Sequence, residues 1–278
     1  MMPAISVVMP VYNAERYIQT AVYSIINQSF ADWELIVVDD GSTDASVRMV
    51  AEVCDVVEHG DRIRILQGEH RGCAAATHQG ILAAQAPIVT VVDADDFSYP
   101  YALEIICYHM YRKRKLGFLW SKFVYGSTFG ERHTMQGWAK STPQNMSLLE
   151  AFTTTRWWGG QHQRALRRDQ YLDSPGLDVS IPYAVDLQLA VVMATTKCQT
   201  AFVDYVLYWY RRHRSQITGK HRKEQTQAHK DIIRKLKQEY RGQLGGEHIA
   251  VRREVGTDKI ISRFPRFFTG QRCAYVVR

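Results

Sequence analysis

Two aspartate clusters, each following an apolar run, constrain this chain more than any other feature. The first lies in residues 37–44 (VVDDGSTD) and the second in residues 91–96 (VVDADD). The β-branched residues before each cluster are typical of strands buried on both faces. Carboxylates at the end of such a strand are costly to bury unless something pairs with them, and ligands bind at that edge of open α/β sheets. The two clusters therefore predict one shared site for a cation and a polar ligand.

Strand and helix patterns alternate along the first part of the chain, which predicts parallel strands joined by right-handed crossovers. The predicted strands are 5–9, 33–38, 62–66, 88–92 and 205–210, and the predicted helices are 14–28, 72–84, 101–115, 148–155 and 185–195. A further helix, capped by Thr43 and Asp44, is predicted to end near Val53. The expected fold class is α/β, with a mostly parallel, Rossmann-like central sheet flanked by helices.

The net charge of +7 is unevenly distributed over the 278 residues. Residues 211–241 carry eleven Lys or Arg against three Asp or Glu, and residues 242–278 carry seven against three. The net charges of these segments are +8 and +4, which leaves −5 for residues 1–210. The basic character therefore belongs to the C-terminal segment and says little about the main domain.

The five cysteines are scattered and form no CxxC pair, which argues against a zinc site or a disulfide framework and fits a reducing compartment. The N-terminus runs directly into a strand-like segment, so we expect no signal peptide. No uninterrupted apolar stretch is long enough to span a bilayer. We therefore expect a cytoplasmic protein, with any membrane contact peripheral and on the inner face.

Five motifs occur in an order that resembles the family 2 glycosyltransferases. They are 10–13 (PVYN), 38–42 (VDDGS), 93–96 (DADD), 185–186 (VD) and 210–215 (YRRHRS). The resemblance covers residues 4–216 and implies a GT-A fold. It also implies inverting transfer of a sugar from a nucleoside-diphosphate donor, assisted by Mn²⁺ or Mg²⁺.

The resemblance and the charge distribution together predict the domain organisation. Residues 1–216 form the GT-A domain, with a nucleotide-sugar-binding half at 1–100 and an acceptor half at 101–216. Residues 217–278 form a basic amphipathic appendage.

The resemblance places the nucleobase of the donor, most simply uracil, near the first two motifs. Pro10, Val11 and Tyr12 would line the base pocket, with the Tyr12 ring near uracil. Asp40 would accept a hydrogen bond from the uracil imide, while Asp39 makes turn and capping contacts before Gly41. A buried core position is the alternative for Tyr12.

The second aspartate cluster is predicted to bind the cation and the donor. Asp95 matches the last Asp of the family's DxD motif, so the resemblance makes it the expected direct ligand of a hard cation, which takes oxygen ligands. Asp93 would hold the donor ribose or a metal-bound water. Ala94 lies between them in the donor site. Helix capping or loop hydrogen bonding is the alternative for Asp93 and for Asp96, which precedes a predicted helix start near Tyr99.

Two basic positions are predicted to approach the diphosphate. Arg71 precedes residues 76–80 (ATHQG), where the family often has Ala-Arg-Asn-x-Gly, and could replace the missing arginine. His213 is a candidate metal ligand, because neutral imidazole suits Mn²⁺ better than Mg²⁺. The alternative for His213 is a surface position in a basic run, with electrostatic contact to the diphosphate from Arg211, Arg212 or His213.

An inverting transfer requires a base that deprotonates the acceptor hydroxyl. Asp186, at the start of a predicted helix, matches the aspartate that the family places there. The alternatives are a structural carboxylate that interacts only with the helix dipole, and Asp178 as the base. Trp157, Trp158 and Gly160 are predicted to border the acceptor, unless the tryptophans belong to the core.

The C-terminal segment contains a predicted basic amphipathic helix. Its apolar residues Ile232, Ile233, Leu236 and Tyr240 occur at helical spacing among Lys and Arg. Such a helix can bind an anionic membrane surface, here through residues 220–278. The alternative is that the helix packs on the main domain with a solvated basic face. No nucleic-acid recognition motif is present, so no nucleic-acid partner is expected.

The favoured function is a metal-dependent inverting glycosyltransferase of the hexosyl- or N-acetylhexosaminyltransferase class. Its expected donor is a UDP-sugar, and its acceptor is a glycan or glycolipid of the cell surface. The alternative is a GT-A-like nucleotide-binding protein, either a nucleotidyltransferase or an inactive scaffold.

Overall fold

The structure, a computed structural model, describes residues 2–127, 135–136, 142–143, 146–155, 162–216, 219, 221–240, 246–251 and 255–263. The strands are β1 (Ile5–Val11), β2 (Trp33–Asp39), β3 (Ile63–Gln67), β4 (Ile88–Val91), β5 (Phe97–Ser98), β6 (Leu116–Gly126), β7 (Met135–Gln136), β8 (His162–Arg167), β9 (Gln199–Arg211) and β10 (His248–Val251). The helices are α1 (Ile18–Ile26), α2 (Ser46–Val56), α3 (Cys73–Ala83), α4 (Ala102–Arg112), α5 (Leu148–Thr154), α6 (Arg168–Leu172), α7 (Val185–Thr195), α8 (Arg222–Tyr240) and α9 (Val255–Ser262).

One sheet organises these elements, with the strand order β10-β9-β6-β8-β4-β1-β2-β3. The half formed by β4, β1, β2 and β3 is parallel, and β6, β9 and β10 also pair in parallel. Along this path β8 is the strand that runs antiparallel, against both β4 and β6. The short strands β5 and β7 add antiparallel pairs to β9 and β6. The predicted α/β class with a mostly parallel sheet is confirmed.

Burial on both faces explains why β1 and β2 consist almost entirely of apolar residues. Every residue of both strands is buried. Helix α3 covers them closely, because Gly80 faces the strands without a side chain. A Cβ on Gly80 would lie 2.3 Å from Cγ1 of Val8 and 3.1 Å from Cγ2 of Val38. Glycine at this position therefore allows the close approach of helix and sheet.

The pairing register brings both aspartate clusters to the same edge of the sheet. Val11 at the end of β1 is paired with Asp39 at the end of β2. The amide of Asp40 donates to the carbonyl of Val11 at 2.8 Å, and the amide of Val92 donates to the carbonyl of Val8 at 3.0 Å. Because parallel strands share their carboxyl-terminal edge, the loops after β2 and β4 are neighbours, as the sequence predicted.

Several element boundaries in the second half differ from the prediction. The helix predicted at 101–115 ends at Arg112, and residues 116–126 form β6 in the middle of the sheet. The strand predicted at 205–210 extends over the thirteen residues of β9. Pairing of β6 with both β8 and β9 accounts for its length, because central strands gain hydrogen bonds on both sides.

The C-terminal segment contributes to the same body as the main domain. Strand β10 pairs with β9 and extends the sheet at its edge. Helix α8 buries Ala228, Ile232 and Leu236, which are spaced four residues apart, and packs against α5 and α7. For α8 the structure therefore realises the packing alternative, with a solvated basic face. Its apolar face is already covered, so membrane insertion of that face, as the amphipathic pattern suggested, is not available.

Replacing Leu236 with alanine is therefore expected to destabilise the fold. A buried Leu→Ala change costs about 2–5 kcal/mol of unfolding free energy, because it loses apolar burial and leaves a cavity. Lys230→Ala, on the exposed face of the same helix, should change stability by less than about 0.5 kcal/mol. Urea unfolding of both variants measures the difference. Equal and small effects would mean that α8 is not packed on the main domain in solution.

Candidate active site

Asp93, the first acidic residue after β4, is held by groups from the second half of the chain. Its amide donates to the hydroxyl of Tyr208 at 3.1 Å. One carboxylate oxygen lies 3.4 Å from Nη2 of Arg164, whose side chain is only 4% exposed. Burial raises the pKa of Asp93, and the nearby carboxylates of Asp95 and Asp186 raise it further, while Arg164 opposes the shift. Asp93 thus lies at the centre of a cluster of interacting charges.

Asp96 is fully buried at the floor of this cluster. Its Oδ1 accepts a hydrogen bond from the amide of Arg211 at 2.8 Å, and its Oδ2 has no hydrogen-bond partner among the described residues. Burial, together with Asp95 and Asp93, raises the pKa of Asp96 well above its usual range. The alternative that Asp96 caps a helix is wrong, because α4 begins at Ala102 without a side-chain cap.

Asp95 and His213, the two predicted metal ligands, are in direct contact. Oδ2 of Asp95 lies 2.8 Å from Nε2 of His213. The other ring nitrogen of His213 lies 2.7 Å from the hydroxyl of Ser215. The two side chains are 28% and 13% exposed, so the pair is partly accessible to solvent. The alternative that His213 is an unengaged surface residue is wrong.

Arg211 connects this pair to the aromatic residues around it. Its Nε donates to the carbonyl of Asp95 at 2.8 Å. Its guanidinium lies over the rings of Tyr17 and Trp209, at 4.9 and 4.8 Å from their centroids. The Tyr17 ring is also 4.5 Å from the His213 ring. These three contacts hold the guanidinium of Arg211 in place next to the predicted metal ligands.

The donor atoms around Asp95 fit a divalent cation. Carboxylate oxygens and a neutral imidazole are ligands that Mn²⁺ accepts. A second set of potential ligand atoms, from Asp93, Asp96 and His162, lies within 4.8 Å of one another. Burial and the Arg164 guanidinium lower the pKa of His162 to about 4, which keeps its imidazole neutral. Arg164 already balances the charge of Asp93, so the Asp95–His213 pair is the better candidate for direct ligation.

No sequence motif singles out Arg164 or Tyr208, and for His162 the sequence indicates only that it is near the site. These residues come from β8 and β9, and they contact Asp93 or stack on one another. The rings of His162 and Tyr208 are 5.3 Å apart and almost parallel. A buried arginine on a central strand is the signal that would have identified this layer, but it requires knowing that β8 is central.

Asp40, the predicted partner of the nucleobase, is 5% exposed and anchors the loop before α3. Its Oδ1 accepts from the amides of Arg71 and Gly72 at 2.7 and 3.1 Å. Its Oδ2 accepts from the amide of Gly72 at 2.9 Å and lies 2.8 Å from Nδ1 of His70. Asp39 accepts from the amide of Ser42 at 3.1 Å, which is the turn contact predicted for it.

The predicted base-pocket residues differ in their exposure. Pro10 and Val11 are buried in β1, whereas Tyr12 is 46% exposed. The alternative that Tyr12 is a core aromatic is therefore wrong. The Tyr12 ring stacks on the His70 ring, with centroids 4.0 Å apart and planes inclined by 19°. The side chain of Arg71 is exposed beside them.

Asp186 lies in the first turn of α7, which begins directly after a residue with left-handed backbone, Ala184 (φ 56°). Its negative charge contributes to the raised pKa of Asp93 and opposes the lowering of the pKa of His162. Asp186 is therefore within electrostatic reach of the acidic cluster. Asp178, the competing base, is exposed and accepts two hydrogen bonds from Ser180. Its pKa is lowered by those bonds and by the charge of Lys235. Of the two, Asp186 is thus the carboxylate that is electrostatically coupled to the acidic cluster.

The predicted acceptor residues Trp157, Trp158 and Gly160 lie outside the described residues. Ala94, predicted in the donor site, is 6% exposed between the two aspartates. A groove of about 590 Å³ lies between residues 180–183 and α8, just before the turn that carries Asp186.

Comparisons with known proteins identify relatives of this chain. The sequence model described as Glycosyl transferase family 2 matches residues 6–173. The glycosyltransferase GlyG of Streptococcus pneumoniae serotype 4 is 44% identical over 94 residues, which are 33% of this chain and 30% of that protein. The chain spans about a third of the length of the curated relatives that it matches.

Solved structures resemble the whole fold. S. aureus TarS 1–349 in complex with UDP-GlcNAc has a TM-score of 0.64 and 19% identity, over 96% of this chain and 72% of that chain. The mannosyltransferase PcManGT of Pyrobaculum calidifontis, in complex with GDP-Man and Mn²⁺, has a TM-score of 0.58 and 17% identity, over 77% of this chain and 59% of that chain. These likenesses confirm the predicted GT-A fold. Because the family model matches well over half of its residues, the chain belongs to glycosyl transferase family 2.

Proposed function

We propose that the protein is a metal-dependent, inverting glycosyltransferase. It transfers a hexosyl or N-acetylhexosaminyl group from a UDP-sugar to a glycan or glycolipid acceptor of the cell surface. The observation that carries this proposal is the meeting of the Asp95–His213 pair with the Arg164–Asp93 pair. The carboxylate of Asp186, at the start of α7, couples electrostatically to the same cluster.

The donor would lie along the edge of the sheet, from the base pocket to the acidic cluster. Tyr12 and Asp40 provide a stacking ring and an acceptor at one end. Arg211, fixed between two aromatic rings, provides positive charge for the diphosphate at the other end. The likeness to a structure that contains UDP-GlcNAc supports a UDP-sugar donor.

Asp95 and His213 would hold the cation, which would neutralise the diphosphate as it leaves. His213 now lies against Asp95 and must present its lone pair at Nε2 to bind a metal. The proton would then reside on Nδ1, where the Ser215 hydroxyl can accept a hydrogen bond. Ser215 can support either tautomer, because a hydroxyl both donates and accepts.

Asp186 would deprotonate the acceptor hydroxyl as it attacks the anomeric carbon. Inversion requires the base on the face opposite the leaving diphosphate. Arg164 would hold Asp93 in the donor site and limit the repulsion among the clustered carboxylates. The acceptor would enter past the groove beside residues 180–183.

The basic face of α8 is the part of the predicted membrane contact that the fold leaves exposed. Its exposed cationic residues are Arg222, Lys223, Lys230, Arg234 and Lys235. Among the described helices, none combines the length and apolar character needed to cross a bilayer. Any association with an anionic membrane surface through this helix would therefore be electrostatic and sensitive to salt.

A donor screen tests the proposed function. We expect UDP release from at least one UDP-sugar in the presence of Mn²⁺, and loss of that release in EDTA. Mass spectrometry of the nucleotide products measures both. Formation of a UDP-sugar from UTP and a sugar 1-phosphate would instead identify a nucleotidyltransferase. A protein that binds UDP but turns over no donor would support the inactive scaffold.

A further inference from the structure

We propose that His70 competes with the nucleobase of the donor. The imidazole of His70 occupies the position where the base would bind. It would be displaced when a nucleotide binds. This inference rests on the proposed function, because it concerns the base pocket of the same donor site. It follows from two contacts of one side chain, to Asp40 and to Tyr12.

The first contact is the hydrogen bond to Asp40. Nδ1 of His70 lies 2.8 Å from Oδ2 of Asp40 and 3.1 Å from its backbone carbonyl. The backbone carbonyl oxygen cannot donate a hydrogen bond, so Nδ1 must carry the proton. A ring N–H thus points at the oxygen that the uracil imide is proposed to use. His70 presents the same donor group to the same acceptor.

The second contact is the stack on Tyr12. The two ring centroids are 4.0 Å apart and the planes are inclined by only 19°. Aromatic rings gain about 0.5–1.5 kcal/mol from such an arrangement. A nucleobase on Tyr12 would need a face of the same ring. His70 therefore reproduces both of the interactions that the pocket is proposed to offer to a base.

The surroundings allow His70 to leave without disturbing its neighbours. Its side chain is 56% exposed, so no core packing retains it. Asp40 stays oriented without His70, because the amides of Arg71 and Gly72 hold its Oδ1. Gly72 has a left-handed backbone (φ 93°), and a Cβ there would lie 2.6 Å from Cβ of Pro182. The loop is thus fixed through its backbone, and displacement of the imidazole frees one acceptor site on Oδ2.

The competition has a consequence for base selectivity. A base that presents a ring N–H to Oδ2 of Asp40 replaces the hydrogen bond that His70 loses. Uracil and guanine carry such a donor, whereas cytosine and adenine present a ring nitrogen that accepts. A base without the donor would leave a buried carboxylate oxygen with one bond fewer, which is costly. His70 therefore sets a threshold that uridine nucleotides pass and cytidine nucleotides do not.

Calorimetry with UDP and Mn²⁺ tests the inference on the intact chain. His70→Ala should lower the Kd for UDP about two- to tenfold, the range expected when one aromatic stack no longer has to be broken. His70→Phe keeps a stacking ring but has no N–H, and its Kd should lie between those of the wild type and His70→Ala. Glu69→Ala, at the adjacent exposed position, serves as the control and should leave the Kd unchanged.

A second measurement uses the wild-type protein. Addition of UDP should move the imidazole proton resonances of His70 away from the ring-current shift that Tyr12 imposes. Weaker UDP binding by His70→Ala would make His70 a wall of the pocket, and an unchanged Kd or an unshifted resonance would remove any competition. Each of these results overturns the inference while UDP still binds. Absence of UDP binding by the wild type and His70→Ala alike would reject the proposed function itself, and the inference with it.

Discussion

Asp186→Asn is expected to reduce sugar transfer about 10²–10⁴-fold, the usual cost of losing a general base. Asparagine is nearly isosteric but cannot accept the proton of the acceptor hydroxyl. The affinity for UDP should barely change, because none of the proposed nucleotide contacts comes from α7. Transfer assays with a donor identified in the screen give the rate, and calorimetry gives the affinity.

Asp178→Asn is the matched control for this change. Asp178 is exposed and bound to Ser180, so its replacement should leave the rate within about twofold of the wild type. Wild-type transfer by Asp186→Asn, or complete loss of its UDP binding, would contradict the role of Asp186 as the base. A large loss of the transfer rate in Asp178→Asn would identify Asp178 as the base instead.

Asp95→Asn is expected to abolish the enhancement of UDP binding by Mn²⁺. The amide keeps a hydrogen-bond acceptor for His213 but removes the negative charge that would bind the cation. Changes to groups that only support metal ligands typically cost 10–100-fold in metal affinity, so loss of a direct ligand should cost at least about as much. Titrations with UDP, with and without Mn²⁺, measure the enhancement.

Asp55→Asn provides a control, because Asp55 is an exposed residue of α2 and contributes nothing to the proposed site. Its Mn²⁺ enhancement should equal that of the wild type. Full enhancement in Asp95→Asn would exclude Asp95 as the ligand. The alternative set of Asp93, Asp96 and His162 would then be the cation site, and Asp96→Asn would be expected to lose the enhancement instead.

The parallel half of the sheet was predictable because its pattern is local. Strands β1, β2 and β4 are buried on both faces and read as short β-branched runs. Parallel strands end at the same edge, so the aspartates that follow two such runs lie along one edge of the sheet. The pairing of Asp95 with His213 was anticipated in part, since the resemblance placed both near the diphosphate.

The second half was less predictable because its strands depend on partners far along the chain. Residues 116–126 were assigned no element, yet they form a central strand between β8 and β9. Arg164 on β8 has no motif around it, and its role follows only from its contact with Asp93, 71 residues earlier. No local periodicity carries such information.

The amphipathic pattern of α8 shows the same limit from another side. Apolar residues spaced four apart predict a helix with one apolar face, and the structure has that helix. The pattern is identical whether the face covers a membrane or another helix. Packing against α5 and α7 decided between them, because burying Ile232 and Leu236 inside the fold removes the same apolar area from water.

The sequence by itself determined the α/β class, the edge at which the aspartates meet, and the residue types available for a cation and a diphosphate. These depend on strand burial and on side-chain chemistry, both of which are readable within a few residues. Only the tertiary structure decided that Arg164 neutralises Asp93, that Asp96 is buried beneath the site, and that His70 stacks on Tyr12. Those contacts join residues that are 58 to 115 positions apart in the chain. Their energies arise from burial and geometry that the folded chain alone creates.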